Sequence, residues 1–293
     1  MPQTPRLFCF GLGFSARALV RRVVAEGWEV AGTSRDEAGL APIRALGADA
    51  HLFFLDHPLT ADALSGITHV LTSIPPSETG DVVLEHHAAL IAGHETLRWI
   101  GYLSATSVYG DRGGELVGEE DALHPVSIRA IKRARAESLW LDLWRDHGAP
   151  VHVFRLAGIY GPGRSPVDQV RAGTAKRIDK PGHRFSRIHV DDIAAALWAS
   201  MTRPEPGAIT NLCDDEAAAS AEVTAYACAL LGIPPPPLIP FADAVAAMSP
   251  MAREFWSDNR RISNRRMHET LLPELRYPTY RQGIAAIIDN EPE

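Results

Sequence analysis

Gly11-Leu12-Gly13-Phe14-Ser15-Ala16 decides the fold. The segment reads G-x-G-x-x-A. It lies between the apolar run Leu7-Phe8-Cys9-Phe10, which reads as a buried strand, and a helical pattern with Ala16, Val20, Val23 and Val24 on one stripe. Each small residue has a mechanical reason. Gly11 permits the tight turn, Gly13 lets a pyrophosphate approach the backbone, and Ala16 lets helix and strand pack closely. The helix start adds free N–H groups and a positive dipole end. In a strand–turn–helix setting the motif predicts a Rossmann-type site for a nucleotide cofactor, with Phe14 and Ser15 inside the turn.

The alternation continues downstream. Trp28–Thr33, His51–Leu55, His69–Ile74, Leu97–Leu103 and Val151–Leu156 read as strands separated by helical stretches. That order predicts an α/β fold: a doubly wound parallel sheet with a smaller C-terminal substrate lobe. The expected division assigns 1–157 to the cofactor-binding core, with 186–212 returning to it, and 158–185 plus 213–293 to the lobe. The proline run Pro234–Pro237 must be extended, and Phe241–Met251 reads as helical.

Cofactor choice is set at the end of the second strand, where NAD enzymes carry an acid on the ribose 2′-hydroxyl. Here the chain reads Gly32-Thr33-Ser34-Arg35. Ser34 offers no charge and Arg35 suits a 2′-phosphate, so NADP is expected over NAD. Asp36 keeps the alternative open, because a register shift of two would make it the NAD-selecting acid.

Composition narrows the classes. The 293 residues are 46% hydrophobic and carry a net charge of −7, which argues against a general nucleic-acid binder. No apolar stretch reaches the ~20 residues of a membrane span, and the N-terminal residues lack a signal-peptide pattern, so a cytoplasmic protein is expected. The three cysteines have no C-x-x-C spacing, and the twelve histidines form no metal-binding pattern; no metal is expected.

Further landmarks follow in order: Leu55-Asp56; Ser104-Ala105-Thr106-Ser107-Val108-Tyr109-Gly110; Phe154-Arg155-Leu156-Ala157-Gly158-Ile159-Tyr160-Gly161-Pro162-Gly163; Arg187-Ile188-His189-Val190-Asp191-Asp192; and Asn211-Leu212-Cys213-Asp214-Asp215. With the glycine turn, and with the tail segment Asn259–Asn264, they make the chain resemble the extended short-chain dehydrogenase/reductases, the NAD-dependent epimerase/dehydratase group. The resemblance implies that Asp56 meets the adenine. It also implies a hydroxyl residue and a Tyr-x-x-x-Lys pair as the catalytic set, and a homodimer through the helices at Val82–Ala92 and Ser127–Trp144.

The catalytic set departs from that pattern. The only lysines are Lys132, Lys176 and Lys180, and the positions four residues earlier hold Ile128, Ala172 and Lys176, so the chain contains no Tyr-x-x-x-Lys. Alignment on Glu137 puts Arg129 and Arg133 at those places, and counting back from Tyr109 puts Ala105 where the hydroxyl belongs. An arginine stays charged and cannot donate a proton as tyrosine does. The catalytic candidates are therefore Thr106, Tyr109, Arg129 and Arg133, with Asp111 nearby. Tyr160, Arg164, Lys176 and Arg187 are the candidates for an anionic, nucleotide-sugar-like substrate. The functional expectation is an NADP(H)-binding oxidoreductase or epimerase of this type with non-standard catalytic residues. The alternative is a non-catalytic NADP(H)-binding sensor or regulator.

Overall fold

A computed structural model describes residues 4–290. The N-terminal reading partly falls on residues 1–3, outside that range. Seven strands form the main sheet: β1 (Arg6–Phe10), β2 (Glu29–Ser34), β3 (Asp49–Leu52), β4 (His69–Thr72), β5 (Trp99–Ala105), β6 (Val151–Leu156) and β7 (Ile209–Leu212), in the spatial order 7-6-5-4-1-2-3. The pairs β1–β2, β1–β4, β2–β3 and β4–β5 are parallel. The order reverses direction at β1, and in open parallel sheets ligands bind beyond the carboxyl ends of the strands at such a switch point.

The strands form because apolar residues run without interruption. Phe8 and Phe10 on β1, Val70 on β4 and Ile100 and Tyr102 on β5 all enter one buried core. That pattern suits strands covered on both faces. Helix α1 (Phe14–Ala25) buries Ala16, Leu19, Val20 and Val23 and ends before Gly27, whose φ of 78° lets the chain turn into β2. Helix α2 (Val82–Ala92) is capped by Asp81, whose carboxylate accepts from the Val83 and Leu84 amides. Helix α3 (Ile128–His147) packs Ala136, Trp140 and Leu143 into the same core.

The third strand is shorter than the alternation predicts. It ends at Leu52, because Phe54 and His57 then pair antiparallel across a tight turn. The Phe241–Met251 helix is also broken, into Phe241–Ala244, a 3₁₀ turn, and a new helix at Pro250–Ser257 that starts at a Ser249 cap. The prolines end in a short strand, Leu238–Pro240, paired with Arg177–Asp179.

The chain divides into two compact units. The first runs to Ala105 and takes in Ile128–Arg155 and Ile193–Thr210. The second holds Thr106–Ser127, Leu156–Asp192 and the chain from Asn211 onward. The second unit has its own core, in which Tyr160, Val167, Val223, Tyr280 and Ile284 meet.

Candidate functional site

In the first unit a cleft of about 680 Å³ opens at the ends of β1, β2 and β4. Its floor is the glycine turn. Gly11 has φ of 79°, and its amide donates to Thr33 Oγ1 at 2.8 Å. A Cβ at Gly11 would stand 2.8 Å from Ile74 Cγ1, so both backbone and space require glycine there. Gly13 is the N-cap of α1 and has no side-chain cap. A Cβ at Gly13 would meet nothing within 4 Å, so the missing side chain leaves this wall open to the cleft. The first turn of α1 carries no acid, so its amides face no carboxylate from their own helix. These features suit a pyrophosphate. Ser15 and Ala16 are buried beneath the turn, and Phe14 opens the helix.

Two arginines line this cleft. Arg35 follows the last residue of β2, and among the described residues its guanidinium makes no hydrogen bond or ion pair. Arg17 was not singled out from the sequence. It lies in the first turn of α1, where its Nε donates to the Leu12 carbonyl at 3.1 Å. A cation at the positive end of a helix is locally unfavourable unless an anion meets it, and that is the signal by which the sequence could have marked it. Asp36 also lines the cleft, but its carboxylate is held locally. It caps a 3₁₀ turn by accepting from the Gly39 amide at 2.9 Å, and the Ser34 hydroxyl lies 3.4 Å away. Because β2 ends at Ser34, the strand-end position belongs to Ser34. Asp56 sits on the exposed turn after β3 and is not part of the cleft wall; Phe54 and Leu55 are.

The catalytic candidates fall in both units. In the first, Arg133 donates to the Leu103 carbonyl at 2.8 Å, and Arg129 is exposed. One turn beyond Arg133, Glu137 is buried and accepts from Arg155 Nε at 3.1 Å, from Arg155 Nη2, and from the Ser104 hydroxyl at 2.8 Å. This network ties α3 to β5 and β6. In the second unit, Thr106 is buried at the start of a 3₁₀ turn that ends at Tyr109. The Tyr109 hydroxyl is fully buried and donates to Asn211 Oδ1 at 2.8 Å. The Asp111 carboxylate accepts from the Asn259 amide, which holds its pKa below the usual range.

A second cavity, of about 420 Å³, lies within the second unit between the strands Gly158–Tyr160 and Arg187–His189 and the helices Pro166–Arg171 and Ser220–Leu230. Tyr160, Arg164 and Arg187 line it together; Lys176 does not. Among the described residues the buried Tyr160 hydroxyl has no hydrogen-bond partner. Burial lowers the Arg187 pKa from its ordinary value, and the guanidinium donates to the carbonyls of Phe185 at 2.8 Å and Ala218 at 3.0 Å. Asp214, whose charge interacts with that of Arg187, is pushed up to about 8 by burial, against which the arginine pulls. The cavity can hold an anion by two guanidinium groups and a phenol. Asp168 is the acid on its wall, and its carboxylate is already engaged in the capping box with Ser165.

Comparison with known proteins agrees with this geometry. The model of the "NAD dependent epimerase/dehydratase family" matches residues 11–213. A conserved protein of unknown function from Silicibacter pomeroyi is 45% identical, with a TM-score of 0.91 over 98% of this chain and 99% of that one. Protein YeeZ of Escherichia coli strain K12 is 29% identical over 237 residues, 77% of this chain and 84% of YeeZ. A UDP-glucuronic acid 4-epimerase variant from Bacillus cereus, bound to a fluorinated UDP-glucuronic acid and NAD, has a TM-score of 0.78 over 97% of this chain and 98% of its own. At 15% identity that last likeness speaks for the fold alone.

Proposed function

Because this chain belongs to the NAD-dependent epimerase/dehydratase family, we propose that it binds NADP(H) at the glycine turn and acts as an oxidoreductase or epimerase on an anionic, nucleotide-sugar-like substrate. The observation that carries the cofactor half is the first unit's cleft, where Gly13, an N-cap without a side-chain cap bond, and Arg35 line one wall system. Arg35 follows the strand-end Ser34, which has no charge to repel a 2′-phosphate, while the neighbouring Asp36 is engaged as a cap. A bound nicotinamide would supply hydride transfer. In this reading the second unit holds the substrate: Arg164 and Arg187 pair with its anionic group, and Tyr160 supplies a hydroxyl. Lys176 would act from outside the cavity wall. The protein works in the cytoplasm as a homodimer formed through α2 and α3.

The acid–base chemistry departs from the family's. The Tyr109 hydroxyl donates its hydrogen bond to Asn211 Oδ1, which favours a positioning role for it, and Arg129 and Arg133 would hold ribose or substrate oxygens without transferring a proton. That leaves Thr106 and Tyr160 as the hydroxyl groups of the proposed chemistry. The same absence of a Tyr-x-x-x-Lys pair favours a second reading, a non-catalytic NADP(H)-binding sensor.

A calorimetric titration with NADPH and NADH tests the proposal. A charge-assisted contact to the 2′-phosphate is worth about 1.5–3 kcal/mol, and the Asp36 charge offsets part of it. NADPH is expected to bind about tenfold tighter than NADH, and Arg35→Ala to abolish the difference. If neither nucleotide binds near millimolar, the cofactor reading is wrong. Steady turnover of any nucleotide sugar would exclude the sensor.

A further inference from the structure

Phe54 and Leu55 are exposed apolar residues, 40% and 42% accessible, at the rim of the first unit's cleft. Phe53, one residue earlier, points the other way: it is buried and packs edge-on against Phe10 at 5.3 Å. The exposure of Phe54 is not slack chain. Its amide and carbonyl both pair with the backbone of His57, at 3.4 and 2.9 Å. The His57 ring stacks on the Phe54 ring at 5.3 Å with only 19° between planes. The turn is pinned from α2, where His86 Nε2 pairs with the Leu55 carbonyl at 2.7 Å. A flat apolar ring is thus held rigid and wet beside the glycine turn, and its ordering cost is met before any ligand arrives.

We infer that Phe54 is the platform on which the adenine of the dinucleotide stacks, in place of a carboxylate reading the base edge. This rests on the cofactor reading above. Stacking needs only the π-face of the base, whereas a carboxylate at this position would accept from the adenine 6-amino group. The one acid of the turn, Asp56, lies off the cleft wall. The stacking contact itself holds a purine without reading its 6-substituent.

Two titrations test this on the full chain. The first uses 2′,5′-ADP, which carries the adenine and the 2′-phosphate without the nicotinamide, against the wild type, Phe54→Ala, Phe54→Trp and Asp56→Ala. Phe54→Ala should weaken binding about tenfold, within the range of base–aromatic stacking. Phe54→Trp and Asp56→Ala should stay within about threefold of the wild type, on the same stacking scale. The second compares NADPH with its hypoxanthine analogue, in which the 6-amino group is replaced; the two should bind the wild type equally. The inference is overturned if Phe54→Ala leaves 2′,5′-ADP affinity unchanged, if Phe54→Trp is as weak as Phe54→Ala, if Asp56→Ala loses as much, or if the analogue binds several-fold more weakly. Wild-type protein that binds no NADPH would instead remove the cofactor reading on which the inference stands.

Discussion

Glu137→Ala should cost far more than an ordinary surface change. Glu137 and Arg155 are both nearly inaccessible, with side-chain exposures of 3% and 4%, and the carboxylate also accepts from Ser104. Removing the carboxylate takes the counter-charge from a guanidinium that stays buried, and takes the acceptor from a buried hydroxyl. Breaking one side of such a pair costs about 3–5 kcal/mol, a large part of the ~5–15 kcal/mol that holds a typical protein folded. In thermal unfolding the midpoint should fall by on the order of 10 °C. Replacing the whole pair separates charge burial from simple loss of packing. Glu137→Leu combined with Arg155→Met and Ser104→Ala removes both charges and the stranded hydroxyl together, and apolar replacement of both partners is often close to neutral. The triple variant should therefore recover most of the loss. A Glu137→Ala protein within about 1 kcal/mol of the wild type, or a triple variant less stable than the single one, would refute the reasoning. The pair matters beyond stability, because it fixes α3, and with it Arg133, against β5 and β6.

Two linked predictions concern pH. The Asp214 carboxyl, pushed up to about 8, keeps its proton in the folded chain where the unfolded chain has released it. Its contribution to stability is present at low pH and is lost as pH rises from about 4 to about 8, with a slope of at most ~1.4 kcal/mol per pH unit. Asp214→Asn should flatten that slope in urea midpoints taken between pH 6 and 8, and an unchanged slope would contradict the assignment. His69, His152, His183 and His189 are held down to about 4 by burial and so stay neutral in the fold. The stability they permit is present above pH 6.5 and should be lost as pH falls towards 4, visible as a steep acid-side drop in the same series.

Much of this architecture is legible in the sequence, because it rests on local rules. The glycine turn declares itself by residue type and spacing, and α2 is predicted over the residues it occupies, Val82–Ala92. What the sequence does not show shares a cause, which is contact between distant residues. Asp56 is an acid just after a strand-like run, and nothing local says that β3 stops at Leu52 and that Phe54 and His57 then close a turn around it. Glu137 and Arg155 are 18 residues apart, and Ser104 and Glu137 are 33 apart, so no window shows the buried network. Tyr109 stands among the catalytic candidates by its motif, and nothing local shows that its hydroxyl donates a hydrogen bond to Asn211, 102 residues on. Arg17 was legible in principle, as a cation placed against the helix dipole.

The central claim is that the turn at Gly11–Ala16 and the strand end at Ser34–Arg35 hold a nicotinamide dinucleotide. Hydrogen–deuterium exchange with and without saturating NADPH tests it most directly, because it reports where the ligand sits. The account predicts slowed exchange in the amides of residues 12–17 and 34–36. Unchanged exchange in both segments, or protection confined to the second unit, would contradict it.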